Sequence, residues 1–157
     1  AVNIAVAGDT IGGQLTLYNA LPNKTSFDII IIQIGLNDMS ALSATTISNY
    51  QNYINAINST KRSDAEIYIS CMLPCKQRFI DLGISNGQSN WIALNEALMG
   101  GGSNPISGVA KRNNYHVSLL GDGNGNLALA YNCGDNIHEN QAGADIIIEG
   151  FRNMIGL

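Results

Sequence analysis

The chain has 157 residues, of which 45% are hydrophobic and only 13% charged, with a formal net charge of −4. That length suffices for one domain, residues 1–157, with a core of its own, and an acidic balance with no basic cluster larger than Lys61-Arg62 or Lys111-Arg112 argues against a nucleic-acid partner. The longest apolar run, Ile29 to Ile32, is far too short to span a bilayer, and no leader or lipidation motif stands out.

Val2 to Ala7 is a short apolar run closed by Gly8-Asp9, and it reads as a buried strand. A chain whose first residues already read as a strand is what a processed or excised piece of something longer would present. Thr10 to Leu21 sets Ile11, Leu15, Tyr18 and Leu21 at helical spacing, with Asp9 or Thr10 as the cap and Pro22 as the stop. Phe27 to Ile34 is the strongest strand pattern. Its nearly continuous β-branched run is that of a parallel strand covered on both faces.

Ile47, Tyr50, Ile54 and Ile57 trace a helical stripe, and Glu66 to Leu73 is the next strand, ended by Pro74. Ser89 to Met99 reads as a helix stopped by Gly100-Gly101-Gly102. Asn104 to Asn113 reads as a further short helix and Tyr115 to Leu120 as a strand. Gly121 to Gly134 is a Gly/Asn-rich loop without the ligand sequence of an EF-hand. A helix from Asn140 to Ile155 closes the chain. Strands alternating with helices predict a layered α/β fold with a parallel sheet.

The three cysteines, Cys71, Cys75 and Cys133, form no Cys-x-x-Cys pair, and His116 and His138 have no zinc-ligand spacing. They read either as buried small side chains or as a disulfide from Cys133 to Cys71 or Cys75. Few lysines and many Asn, Ser, Thr and Gly residues lean towards an extracellular or virion-associated protein.

In an open parallel sheet, ligands bind beyond the carboxyl ends of the strands. Three segments fall at that edge: Gly8-Asp9-Thr10, Gly35-Leu36-Asn37-Asp38 and Asp135-Asn136-Ile137-His138. A carboxylate three residues before an imidazole can hold the ring and leave its other nitrogen free as a general base. The Gly8 backbone N–H and the Asn37 amide are neutral donors of the kind an oxyanion hole needs. Taken singly, the same residues read as a loop histidine with a capping Asp, a tight-turn glycine and a helix-capping amide. Their convergence on one edge favours chemistry.

On these motifs the chain resembles the SGNH (GDSL-like) hydrolases, a family of esterases, lipases and carbohydrate deacetylases. The second block of that family, Asn then Gly five positions on, is matched by Asn3 and Gly8. Its third, Gly-x-Asn-Asp, is matched by Gly35, Asn37 and Asp38. Its fifth, Asp-x-x-His before a helix, is matched by Asp135 and His138, with Ala142 and Gly143 following. The resemblance implies a flavodoxin-like three-layer α/β sandwich with a mainly parallel sheet. It also implies hydrolysis of acyl esters of a small molecule or carbohydrate, without metal or organic cofactor. His138 would be the base, Asp135 its orienter, and Gly8 and Asn37 the oxyanion hole. Gly35 and Asp38 would shape the turn that presents Asn37.

The family's first block, Gly-Asp-Ser with the nucleophilic serine, does not occur in this sequence. Three readings stay open. The first strand and its serine come from a second polypeptide segment. Alternatively, Gly8-Asp9-Thr10 is itself the first block, with Thr10 as the nucleophile. Or the domain is an inactive carbohydrate-binding or structural module, for example of a virion appendage. Ser40, Ser43, Ser70 and Ser118 sit in no nucleophile-elbow pattern.

Overall fold

The computed structural model describes residues 1–157. Six helices and three strands follow one another as α1 (Ile11–Ala20), β1 (Ile29–Ile32), α2 (Ser43–Thr60), β2 (Glu66–Ser70), α3 (Lys76–Asp81), α4 (Gly87–Leu98), β3 (Lys111–Asn113), α5 (Tyr115–Leu120) and α6 (Gln141–Ile155). The strands pair in the order β1-β2-β3, all parallel, with Ile29 opposite Glu66 and Ser70 opposite Asn113. Parallel neighbours require crossovers, and helices supply each of them. The layered α/β class read from the sequence is the one observed.

Side chains alternate across a strand, and β2 divides the two helical layers accordingly. Ile67 and Ile69 turn into the main core, with Tyr18 of α1, Tyr50, Ile54 and Ile57 of α2, and Leu94 and Leu98 of α4. Tyr68 turns the other way. There Lys111 lies over its ring, with Nζ at 5.0 Å from the centroid, and donates to the Met154 carbonyl of α6. A smaller core of Leu120, Leu127 and Ile147 joins α5 and α6 on that side.

The helix ends follow local chemistry. Thr10 Oγ1 accepts from Gly13 N–H at the start of α1, and Asn140 Oδ1 accepts from Gly143 N–H at the start of α6. At the end of α6, Gly156 takes φ +81° and its N–H bonds back to the Arg152 carbonyl.

Four expectations are corrected. Val2 to Ala7 forms no strand; these residues stay outside the sheet and pair with nothing in it. The second predicted strand is shorter than Phe27–Ile34 and is not covered on both faces: Ile32 is buried, whereas Ile29 and Ile31 are 41% and 45% exposed. Asn104–Asn113 contains a strand instead of a helix, and Tyr115–Leu120 is a helix instead of a strand. Lys111–Asn113 carries no apolar signal. It is held by backbone bonds from Ala110 N–H to Ile67 O and from Cys71 N–H to Asn113 O, while Arg112 reaches the Leu98 and Ile106 carbonyls. Asn113 Oδ1 then accepts from Tyr115 N–H, and His116 and Leu120, four apart, form the buried stripe of α5. Helix α3 shows no pattern in the sequence because it is short and anchored by Phe79 alone.

Candidate active site

The first two loops at the carboxyl edge are bonded to each other. Gly8 turns the chain with φ +77°, nothing lies where its Cβ would be, and no acceptor within the chain takes its N–H. Asn37 Nδ2 donates to the Asp9 carbonyl at 2.9 Å, and Asp38 Oδ2 accepts from Ile11 N–H at 3.1 Å. Asp38 thereby fastens the second loop to the start of α1. Burial raises its pKa, opposed by the Ile11 hydrogen bond and reinforced by the charge of Asp9. Gly35 is required where it stands. Its φ is +125°, and a Cβ would meet Leu94 Cδ2 at 2.8 Å and Met72 Sδ at 3.3 Å. Asn37 itself is exposed and keeps one amide hydrogen free of intramolecular partners.

The third loop is a small hairpin closed by Asn132 bridging to Glu139. Asn132 Oδ1 accepts from Gly134 and Asn136 N–H, and Asn136 takes a left-handed φ of 62°. This turn brings Asp135 under the ring of His138. Oδ1 accepts from Ile137 and His138 N–H at 3.1 and 2.8 Å, and Oδ2 lies 2.5 Å from His138 Nδ1. A carboxylate only accepts, so Nδ1 carries the proton it shares with Asp135, and Nε2 is the ring nitrogen turned away from that contact. Nε2 has no partner in the chain, and the His138 side chain is 72% exposed. The bond from His138 holds the Asp135 carboxyl well below its usual range, at about 2, with the two backbone donors assisting.

No hydrogen bond crosses from the Gly8–Asn37–Asp38 cluster to the Asp135–His138 pair. A polar row, exposed at Gln33 and buried at Ser70, Asn113 and His116, lies at the carboxyl ends of the strands. Gln33 follows β1, Ser70 ends β2 and Asn113 ends β3, and the strand register sets them level. His116 Nε2, fully buried, lies 2.9 Å from the Cys71 carbonyl and 3.3 Å from Gln33 Nε2. Burial lowers the pKa of this ring; the Cys71 bond and the charge of Glu139, the residue after His138, act against it. Ser70 Oγ, Asn113 Nδ2 and His116 Nδ1 are buried without partners. Sequence reasoning missed this row. Its signal was a polar residue at the end of each apolar strand, visible only once the register is known.

No nucleophile of this chain bonds to His138. Thr10 Oγ1 is occupied as the cap of α1, and Ser70 Oγ is buried in the polar row. The cysteines are unpaired. Burial pushes the Cys71 and Cys75 thiols up to about 12, which leaves them inert, and the exposed Cys133 thiol points to the Glu139 carbonyl of its own hairpin. Nowhere do three His, Cys, Asp or Glu side chains gather as a metal site would need. Beside the end of β2 lies a cavity of about 510 Å³, lined in part by Cys71, Trp91, Asn95, Tyr115 and Ser118. Trp91 packs into the core with its indole N–H on the Leu73 carbonyl, so it serves as an anchor.

No family model matches the chain, and no curated protein matches it in sequence. Solved structures do share its fold. A Bacteroides fragilis protein provisionally assigned as an acylhydrolase superposes with a TM-score of 0.75 at 16% identity, over 93% of this chain and 69% of its own. An acetyl esterase, solved as a serine-to-alanine variant with an acetate ion, superposes with a TM-score of 0.63 at 16% identity, over 91% of this chain and 64% of its own. The fold of this chain is therefore the α/β fold found in an acylhydrolase and an acetyl esterase, and both of those chains are the longer.

Proposed function

We propose that this chain forms most of a serine ester hydrolase of the SGNH (GDSL-like) type, with the nucleophile supplied by a polypeptide segment outside residues 1–157. The observation that carries this reading is the Asp135–His138 pair: an oriented imidazole whose Nε2 is unpartnered and open to solvent. The free Gly8 N–H and the exposed Asn37 amide support it as oxyanion donors. The shared fold of an acylhydrolase and an acetyl esterase supports ester chemistry.

In this mechanism a serine hydroxyl attacks the acyl carbonyl while His138 Nε2 takes its proton. Asp135 stabilises the imidazolium that results. Gly8 and Asn37 hold the tetrahedral oxyanion. Collapse breaks the ester bond, and His138 passes its proton to the leaving alcohol. Water, deprotonated by the same nitrogen, then releases the acid and restores the serine. An acylated carbohydrate is the substrate class we favour, from the family resemblance and the polar loops.

The test is hydrolysis of p-nitrophenyl acetate and acetylated oligosaccharides by the chain, alone and with its native neighbouring polypeptide. His138→Ala should lower kcat by roughly 10²–10⁴-fold, and activity untouched by it overturns the mechanism. Activity of the isolated chain that vanishes in Thr10→Ala would move the nucleophile to Thr10. A second reading, an inactive carbohydrate-binding or structural module, is favoured by one observation: no hydroxyl of this chain engages His138. Binding of the oligosaccharide without turnover in either preparation would support it.

A further inference from the structure

We propose that Asp81 of α3 is a positioning residue for His138, acting through Asn136 at the tip of the 132–139 hairpin. The base of that hairpin is fixed. Tyr131 packs on the small core of Leu120, Leu127 and Ile147, and its carbonyl accepts from Asn140 N–H. The tip, residues 133–138, bonds almost entirely to itself and to Asn132 and Glu139. Cys133 N–H donates to the His138 carbonyl, Gly134 and Asn136 N–H to Asn132 Oδ1, and Ile137 and His138 N–H to Asp135 Oδ1. A single hydrogen bond ties this tip to another element. It runs from Asn136 Nδ2 to Asp81 Oδ2 at 3.3 Å, across 55 positions of sequence.

Asn136 is where such a tie has most effect. It stands between Asp135 and the two N–H groups that Asp135 accepts, and it is the one non-glycine residue of the chain with φ in the left-handed region. That conformation is unfavourable for most side chains and tolerated by Asn. It persists where neighbours hold it. Both ends of the Asn136 amide are engaged: Oδ1 accepts from Asn132 Nδ2 at 3.1 Å, and Nδ2 donates to Asp81. The Asn132 bond keeps the shape of the turn. The Asp81 bond fixes where the turn stands at the carboxyl edge of the sheet.

Helix α3 is a firm anchor for it. Phe79 is buried, with Gly87 of α4 against its ring. Lys76 N–H donates to the Gly125 carbonyl and Gln77 N–H to Asn126 Oδ1. Gln77 Nε2 donates to Asp81 Oδ1 at 2.9 Å, which leaves Oδ2 to Asn136. The Gln77 and Asn136 amides hold the Asp81 carboxyl below its usual range. Asp81 has no salt bridge. As the last residue of α3 it stands at the helix end where a negative charge is disfavoured. Its bond to the hairpin gives that carboxylate a role that helix stability does not. The catalytic consequence rests on the hydrolase reading: a general base works only from the correct position, and a misplacement of about 1 Å costs roughly 10²-fold.

The experiment compares the 157-residue chain with Asp81→Ala, Asp81→Asn, Asn136→Gly and the double variant Asp81→Ala/Asn136→Gly. NMR reads the backbone order parameters of residues 133–138 and the titration of the Asp135 side-chain carbon, with the amides of α2 as the check on the fold. The native tip should be rigid, near about 0.85, and should fall below about 0.6 in Asp81→Ala and in Asn136→Gly. The Asp135 carboxyl should then titrate above its native value of about 2. Asp81→Asn still offers a carbonyl oxygen to Asn136 and should behave as native. The double variant should move no further than Asn136→Gly, because both lose the same tie. In hydrolysis of p-nitrophenyl acetate with the native neighbouring polypeptide, Asp81→Ala should lower kcat about tenfold at unchanged KM, and Asp81→Asn should restore it. A tip unchanged in Asp81→Ala, damage by Asp81→Asn equal to that by Ala, additive effects in the double variant, or loosening that extends to α2 each overturns the proposal. So does native turnover at unchanged kcat with a loosened tip. A tip loosened as expected, in a protein whose native form hydrolyses nothing, leaves Asp81 as the anchor of the Asp135–His138 pair and counts against the hydrolase.

Discussion

At the scale of single residues, the Asp135–His138 contact makes a pH prediction. His138 holds the Asp135 carboxyl at about 2, below its ordinary 3.8. As pH falls through this window the unfolded chain takes up the proton first, so the contact contributes stability above about pH 4 and loses it as pH approaches 2. In His138→Ala the Asp135 carboxyl should titrate nearer 3.8, followed by its side-chain carbon shift in NMR. The variant's urea midpoint should also fall less than the native one between pH 5 and pH 3. The glycines of the site make a second prediction. Gly8→Ala meets only the left-handed backbone penalty, about 1–2 kcal/mol, because open space surrounds it. Gly35→Ala adds a clash with the buried Leu94, which has no room to swing away, and should cost about 1–3 kcal/mol more. Denaturant unfolding of the two variants compares them directly.

At the scale of elements, both loop-to-helix junctions at the site depend on side-chain caps. Asn140→Ala and Thr10→Ala should each lower stability by about 1 kcal/mol, and Thr10→Ser should restore the cap of α1. Melting curves of these three variants would check it. The caps also explain which elements were legible. Helices α1, α4 and α6 pair an apolar stripe with a cap or a glycine stop, and α2 carries the stripe over 18 residues without either, so sequence alone reveals all four within a few residues. β3 and α5 were exchanged because their cues are inverted. A strand of Lys, Arg and Asn is chosen by backbone partners on β2 and by long aliphatic stems, while Tyr115 to Leu120 alternates like a strand yet gives its first N–H to Asn113 Oδ1 and buries His116 and Leu120, four apart. Long-range pairing overrode local pattern in β3.

At the scale of the whole molecule, the candidate site divides along the same line. Gly8, Asn37, Asp38, Asp135 and His138 stood out because each belongs to a short motif at a loop. Gln33, Ser70, Asn113 and His116 did not, because only strand register and the packing of α5 bring positions that distant together. The open side of the sheet was legible in a different way. The apolar runs at Val2 and Phe27 both read as strands, and the structure takes only the second into the sheet.

That unpaired edge has a colloidal consequence. Four consecutive isoleucines with free amides and carbonyls on one side are a template on which further chains can add. Residues 1–6 lie across the approach to this edge, so they act as a guard. Deleting residues 1–7 should leave the three paired strands in place while opening this edge to further copies of the chain. Light scattering and thioflavin fluorescence should rise with protein concentration in the truncated chain, and the rise should disappear when Ile31→Lys is added to it.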